Sequence, residues 1–274
     1  MDYARELEIA LDAAAEASAY LRAAYEAFTP VPDAPAGITT EADRTSQDLI
    51  LNRLKAAFPD DALCAEEGTA ARRDAKREGP RLWVVDPIDG TRGFARKNGE
   101  FSIMIGLVAK GRVVVGVVAE PALTRVTYAQ FGHGCWVRTG TAIPAACFVT
   151  GTENLSDAVL VQSHAKKGET TWPVTALQPK NVIETYSAGV KLAMVARGEA
   201  DLYVNTYANF SDWDICAGDL LVTEAGGTVT EIAGTPVRYG TPGNAQRGGL
   251  LATNGRLHRA ALAGLREVGF QPVE

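Results

Sequence analysis

In the stretch WVVDPIDGTRGF, residues 83–94, an apolar run ends in two aspartates, Asp86 and Asp89, with Pro87 and Ile88 between them and Gly90 and Thr91 after. Asp-Pro and Asp-Gly are common turn dipeptides, so one reading is a plain turn leaving the core. A second reading starts from placement. Residues 82–85 read as a short buried strand, which puts Asp86 at a carboxyl end, where open α/β sheets bind ligands. With Asp89 three residues on, both carboxylates can face one way, and they repel unless a proton or a cation lies between them. Carboxylate and carbonyl oxygens suit a hard divalent ion such as Mg²⁺, which keeps several waters and shares its shell with a substrate phosphate.

Such a site needs further acids, and the candidates stand at the ends of elements. Glu66 and Glu67 follow a short apolar run, Asp43 falls in the first turn of a helical segment, and Asp214 precedes an apolar helix in SDWDICAGDLLVTEAGG. Each also has an ordinary structural use. Asp43 can complement a helix dipole, and Asp214 can cap a helix. Trp213 reads as packing.

The elements that would position these residues follow from periodicity. Residues 2–28 carry Leu7, Ala10, Leu11, Ala14, Ala17 and Leu21 at helical spacing, ended by TPVPDAPAG. Residues 40–58 form a second helix, capped near Thr40, with Leu49, Ile50 and Leu54 inward. A short strand at 62–65 leads to Glu66, and ARRDAKREGP reads as a solvated loop without functional weight. From Phe101 apolar runs broken by Lys-Gly, Glu-Pro and Gly-His-Gly read as antiparallel hairpins. Beyond residue 155 strands at 158–163, 181–185 and 201–205 alternate with helices after Gly168, at 188–196 and at 214–225, with a last strand at 228–231. The expected organisation is an N-terminal α+β domain over residues 1–150, carrying most metal ligands, and a C-terminal α/β domain over 151–274, carrying Asp214 and substrate-binding residues.

The 274 residues suffice for a large core, and a formal charge of −6 argues against a nucleic-acid duplex as partner while allowing a local anion pocket. Four cysteines, widely spaced and without a C-x-x-C pair, suggest neither a zinc site nor a disulfide framework. The N-terminal stretch is charged from its second residue and no segment has the apolar length to span a bilayer, so no membrane role and a cytoplasmic location are expected. There is no G-x-x-x-x-G-K-[ST] loop, and no serine, cysteine or histidine is placed as a covalent nucleophile.

The order T-E-A-D, E-E-G, W-V-V-D-P-I-D-G-T and W-D-I-C-A-G-D-L-L-V-T-E-A-G-G, extending to GLLATNG at residues 249–255, resembles the inositol monophosphatase superfamily of Mg²⁺-dependent, lithium-sensitive phosphatases. That resemblance implies a layered αβαβα sandwich with two or three Mg²⁺ ions between its halves. It assigns Glu66, Asp86 and the carbonyl of Ile88 to one metal site and Asp86, Asp89 and Asp214 to a second, with Glu66 helping to hold a third ion. Asp43 and Thr91 match the pair that orients and deprotonates the attacking water, and Glu66 counts with them as catalytic. Relatives often pair as homodimers, so a homodimer is a further expectation.

Within the superfamily, the stretch around R-K-N-G-E-F, the segment VQSHAKK (with Gln162 where arginine is usual) and Lys191 in YSAGVKLAMVARGEADLY resemble the 3'(2'),5'-bisphosphate nucleotidase branch. The implied reaction converts 3'-phosphoadenosine 5'-phosphate to AMP and phosphate. The alternatives are an inositol monophosphatase, a broad sugar-phosphate phosphatase and, from another class, a catalytically silent metal or nucleotide sensor. For a nucleotide bisphosphate, Gly90 and Thr91 would meet the cleaved phosphate, while Lys191 and the amides of Ser187, Ala188 and Gly189 would hold the other. Arg92 and His164 complete the expected substrate contacts; Arg96 and Lys97 read as a solvated basic turn.

Overall fold

The computed structural model describes residues 2–207, 210–241 and 243–267. In chain order, helices α1 (Ala4–Ala27) and α2 (Glu41–Ala57) precede strand β1 (Ala62–Ala65), the short α3 (Ala70–Arg73), β2 (Arg81–Asp89) and α4 (Thr91–Arg96). A run of strands follows: β3 (Ser102–Ala109), β4 (Arg112–Glu120), β5 (Arg125–Gln130), β6 (Cys135–Thr139) and β7 (Ala145–Cys147). The later half comprises β8 (Val159–Gln162), α5 (Trp172–Leu177), β9 (Asn181–Glu184), α6 (Ala188–Ala196), β10 (Leu202–Asn205), β11 (Phe210–Ser211) and α7 (Asp212–Glu224). It closes with β12 (Thr228–Thr230), β13 (Ala245–Gln246), β14 (Leu250–Thr253) and α8 (His258–Glu267).

Strands β1 to β7 form one sheet in sequence order, antiparallel except for the parallel β1–β2 pair. A second sheet runs β12-β14-β10-β8-β9, with β8, β9 and β10 mutually parallel. Helices α1 and α2 cover the outer face of the first sheet, α6 and α7 lie between the sheets, and α5 and α8 cover the outer face of the second. The result is the expected αβαβα sandwich. The expected division near residue 150 falls between the two sheets, although α6 and α7 of the later half pack on the first sheet.

Burial explains why the hairpin strands show apolar runs instead of a clean alternation. On β3, Ile103, Ile105 and Leu107 face α1 and α2, while Met104 and Val108 face the middle helices, so both faces are apolar. The Lys110–Gly111 break is a tight hairpin with both residues at positive φ. Helix α1 buries Ala10, Ala13, Ala14, Ala17 and Leu21 along one stripe, and its small residues let the sheet come close. Helix α7 approaches the same sheet on its other face through two glycines. A Cβ on Gly116 would lie 2.4 Å from the Ala217 carbonyl, and one on Gly106 would lie 2.6 Å from Cys216 Sγ.

Four features depart from the sequence expectations. The run after residue 70 holds a helical turn, because Thr69 caps it through Arg72 N. The strand at 228–230 is not the last: β14 and α8 follow, the strand lying between β12 and β10 in the second sheet and the helix burying Ala261 and Leu265. On α2, Ile50, Leu51 and Leu54 are buried, and Leu49 is only partly so. Lys97 closes the end of α1, donating to the Tyr25 and Glu26 carbonyls. Among the described residues no helix is long and apolar enough to cross a membrane.

Because the Gly116 contact is with rigid backbone, Gly116→Ala is expected to cost about 1–3 kcal/mol in urea unfolding. Gly151→Ala, where a Cβ meets nothing within 4 Å, serves as the near-neutral control.

Candidate active site

Strand β2 carries Asp86 and Asp89 to the end of the first sheet, and its register against β3 breaks between them. Pro87 at this break has its carbonyl held by Ser46 Oγ at 3.0 Å. Across the gap, α7 delivers Asp214 from its first turn. One carboxylate oxygen from each of Asp86, Asp89 and Asp214 lies within 4.8 Å of the other two, the spacing a shared cation would need. Glu66, just past β1, stands outside that set, with its carboxyl close enough to that of Asp86 to share a proton.

Each aspartate is fixed by a backbone amide. Ile88 N donates to Asp86 Oδ1 at 3.0 Å, and Ser211 N donates to Asp214 Oδ2 at 2.6 Å in a capping box that starts α7. Thr40 N and Thr40 Oγ1 both donate to Asp43 Oδ2 at 2.7 Å in the equivalent box on α2. The capping use considered for such residues is real for both Asp43 and Asp214, and it engages one carboxylate oxygen of each, leaving the other free of that role. Asp89 is held most heavily. It accepts from Ala188 N at 3.1 Å, Gly189 N at 2.7 Å, Ser102 Oγ at 3.2 Å and the Ser187 hydroxyl. The approach demands Gly189, where a Cβ would sit 2.6 Å from Ser102 Oγ.

This arrangement corrects the expected second-phosphate pocket. The amides of Ala188 and Gly189 are occupied by Asp89, and the Ser187 hydroxyl donates to Asp89 and accepts from Val190 N. The anion that the start of α6 attracts is thus the protein's own carboxylate. Lys191 is 1 % exposed, with Nζ donating to the Tyr186 carbonyl at 3.0 Å and lying 5.3 Å from the Tyr203 ring centroid. Burial pushes its pKa down to about 8, opposed by Asp89, Glu100 and Asp214. It acts as an internal counter-charge and presents no ammonium to solvent.

Thr91 opens α4 behind Gly90, whose φ of 84° and contact with the Glu100 carbonyl, 2.7 Å from a Cβ position, allow no side chain. Thr91 Oγ1 lies 2.8 Å from Asp43 Oδ1 and 2.9 Å from the Ile88 carbonyl, so its one proton is given to either, and its lone pairs stay open to a donor such as water. Asp43 is wholly buried, and that burial raises its pKa against the pull of its hydrogen bonds.

Next to Ser187, Tyr186 is flanked by the Arg92 guanidinium at 5.3 Å, that of Arg96 at 5.7 Å and the His164 ring at 4.4 Å. Arg92 spends Nε on the Ala34 carbonyl, and Arg96 is tied to Pro32 and to the Tyr186 hydroxyl, so Arg96 is a brace and not a solvated residue. His164 Nε2 lies 2.7 Å from Glu100 Oε2, which also accepts from Tyr186 N at 3.1 Å. Two contributors escaped the sequence reading. Glu100 sits in the quoted R-K-N-G-E-F without a role, and Arg72, in the run dismissed as solvated, donates to the Glu66 carbonyl at 2.7 Å and covers Trp213. Glu67 turns away to Thr39, 2.6 Å, and its backbone is clasped by Gln47.

The layered fold thus holds a cluster of three aspartates with the spacing a shared cation would need. The chain belongs to the inositol monophosphatase family, whose model matches residues 2–269. It is 35% identical to a histidinol-phosphatase of Streptomyces coelicolor over 83% of this chain and 84% of that one. It is 32% identical to the 3'(2'),5'-bisphosphate nucleotidase CysQ of Salmonella typhimurium, over 73% and 78%. Among solved structures, an IMPase of Thermotoga maritima superposes with a TM-score of 0.80 at 27% identity, covering 96% of this chain and 98% of the other.

The acids fit a cation on their own chemistry. Burial first, then Glu66, Asp89 and Asp214, holds the Asp86 carboxyl well above the usual range. Burial likewise lifts Asp214 to about 7, with Asp89 adding to it, and lifts Glu66, exposed as a residue, to about 8, with Asp214 and Glu67 adding. The metal-free fold thus keeps protons that the unfolded chain has lost, and its stability falls as pH rises from the ordinary carboxylate range near 4 toward about 8. Bound Mg²⁺ would take the place of those protons. The rise in Tm on adding saturating Mg²⁺ is therefore expected to be larger at about pH 8 than at about pH 5.5, measured by calorimetry. An equal rise at both would separate metal binding from these carboxylates.

Proposed function

We propose that the protein is a Mg²⁺-dependent phosphomonoester hydrolase that uses a water as its nucleophile. The observation that carries this is the Thr91 hydroxyl, held between Asp43 and the Ile88 carbonyl beside three clustered aspartates. Glu66, Asp86, Asp89, Asp214 and the Ile88 carbonyl would hold the metal. Bound Mg²⁺ supplies the positive charge that neutralises phosphate oxygens and acidifies water. Thr91 accepts a hydrogen bond from the attacking water and passes the proton toward Asp43 Oδ1, whose buried position strengthens it as a base. The P–O ester bond breaks as the water oxygen bonds to phosphorus, the leaving alkoxide takes a proton from solvent to become the alcohol, and Asp43 returns the proton it accepted to solvent, so that one water is consumed in all.

The substrate we propose is a nucleotide bisphosphate, 3'-phosphoadenosine 5'-phosphate, with the second phosphate held beside Tyr186 and not by Lys191. Among the described residues the terminal nitrogens of Arg92 make no hydrogen bond, and the adjoining rings of Tyr186 and His164 offer a surface for a base or sugar. The likeness to CysQ supports this choice. A polyol or amino-alcohol phosphate is the second reading, favoured by Glu100 and Glu184, which bring two carboxylates to His164.

Thr91→Ala is expected to lower kcat by roughly a hundred- to ten-thousandfold while leaving Mg²⁺ affinity intact, whereas Asp214→Asn weakens Mg²⁺ binding itself. Isothermal titration alongside turnover separates the two, and a lost Mg²⁺ affinity in Thr91→Ala would make that residue a ligand. Lithium is expected to inhibit by competing for the same acids.

For the substrate, phosphate release is compared on 3'-phosphoadenosine 5'-phosphate, inositol monophosphate, fructose bisphosphate and histidinol phosphate. Arg92→Ala is expected to cost the nucleotide about tenfold or more in kcat/KM and the monophosphates little, and Lys191→Ala to harm all alike. Equal loss on every substrate in Arg92→Ala would leave the nucleotide reading without support.

A further inference from the structure

Away from the carboxylate cluster, with none of whose residues it shares a wall, a cavity of about 180 Å³ opens between α1 and the strands β4, β5 and β6. Its floor is apolar, and it exists because the facing stripe of α1 presents Ala14, Ala15 and Ser18, residues too short to fill the space above Ala119 and Val126. Three guanidinium groups line it: Arg22 from α1, Arg125 from β5 and Arg138 from β6. The single acid on its wall is Glu120, and it is already spent.

Glu120 is 2 % exposed and takes Arg125 in a two-point contact, Nε at 2.8 Å and Nη2 at 2.7 Å, and Arg197 at 2.9 Å. Glu199 serves the same two arginines from outside the cavity. Among the described residues Arg22 and Arg138 make no side-chain hydrogen bond or ion pair, and both are half-buried. Like charges brought to one small cavity repel, and nothing on its walls compensates them. The rim adds the hydroxyls of Ser18 and Thr124 as further donors.

We infer that this cavity is a binding site for a phosphoryl group, separate from the hydrolytic centre, gripped by Arg22 and Arg138 from opposite walls. Planar guanidinium forks match a tetrahedral oxyanion, and the Glu120-bound Arg125 supplies a fixed field behind them. The apolar floor leaves room for a short carbon body, so the phosphoryl group comes either from a small phosphate ester or from inorganic phosphate. The site does not depend on the substrate reading above, since no residue is shared.

The test titrates the whole protein with inorganic phosphate and with glycerol 3-phosphate, in low salt with a chelator present, so that the carboxylate cluster repels both probes. Saturable binding is expected, weakened about tenfold by Arg22→Gln and by Arg138→Gln, with Mg²⁺-dependent turnover unchanged in both. Tighter binding of the ester identifies an ester site, and equal binding identifies a phosphate site. If either variant misfolds, Arg138→Lys, which keeps charge and stem but loses the fork, is expected to weaken binding by a smaller factor. Absence of saturable binding to the unaltered protein, or unchanged affinity in the variants, overturns the assignment.

Discussion

Carboxylates that repel one another must be held together before a cation arrives, and much of the structure serves that purpose. Asp43, Asp86, Asp89 and Asp214 each take at least one backbone N–H, and Asp89 takes two together with two serine hydroxyls. Three of these anchors are helix starts, those of α2, α6 and α7. Their partial positive charge offsets part of the repulsion, and protons retained on Asp86 and its neighbours offset more. Pre-organisation has a thermodynamic cost, which the hydrophobic layers on either side must cover.

The layers also explain how the helix starts converge. Helices α6 and α7 are enclosed between two sheets, so their directions are set by packing on both faces and not by local sequence. Close approach is possible because Gly106, Gly116, Gly189 and Gly218 leave no side chain at the contacts, each Cβ position lying within 2.6 Å of a neighbouring atom. An enclosed helix cannot shift by an ångström without disturbing both sheets, which gives the cluster its rigidity.

Filling the start of α6 with Asp89 has a consequence for recognition. The amides and the lysine that would otherwise offer an anion pocket are consumed within the protein, Lys191 as a buried counter-charge to Asp89, Glu100 and Asp214. Under the proposed function, discrimination among phosphate esters is left to the group of Arg92, Tyr186, His164 and Glu100, drawn from three stretches of chain. Relatives of comparable identity carry names as different as histidinol-phosphatase and bisphosphate nucleotidase, in keeping with a shared centre and a variable rim.

The sequence alone determined the local chemistry: acids at element ends, Thr40 and Asp43 at a helix start, Gly90 and Thr91 opening another, and the change from hairpins to alternating strands and helices. These are legible because capping, turn and periodicity signals act over a few residues. Only the tertiary structure decided which polar groups are already spent. That the α6 amides belong to Asp89 and that β14 pairs with β10 inside its sheet depend on partners roughly 50 to 100 positions away, and although Lys191 and Arg72 find Tyr186 and Glu66 only five and six residues off, the folded turns alone bring those groups together. Hydrogen-bond donors and charges are shared out by proximity in space, and a residue's type records what it can offer, not which neighbour has taken it.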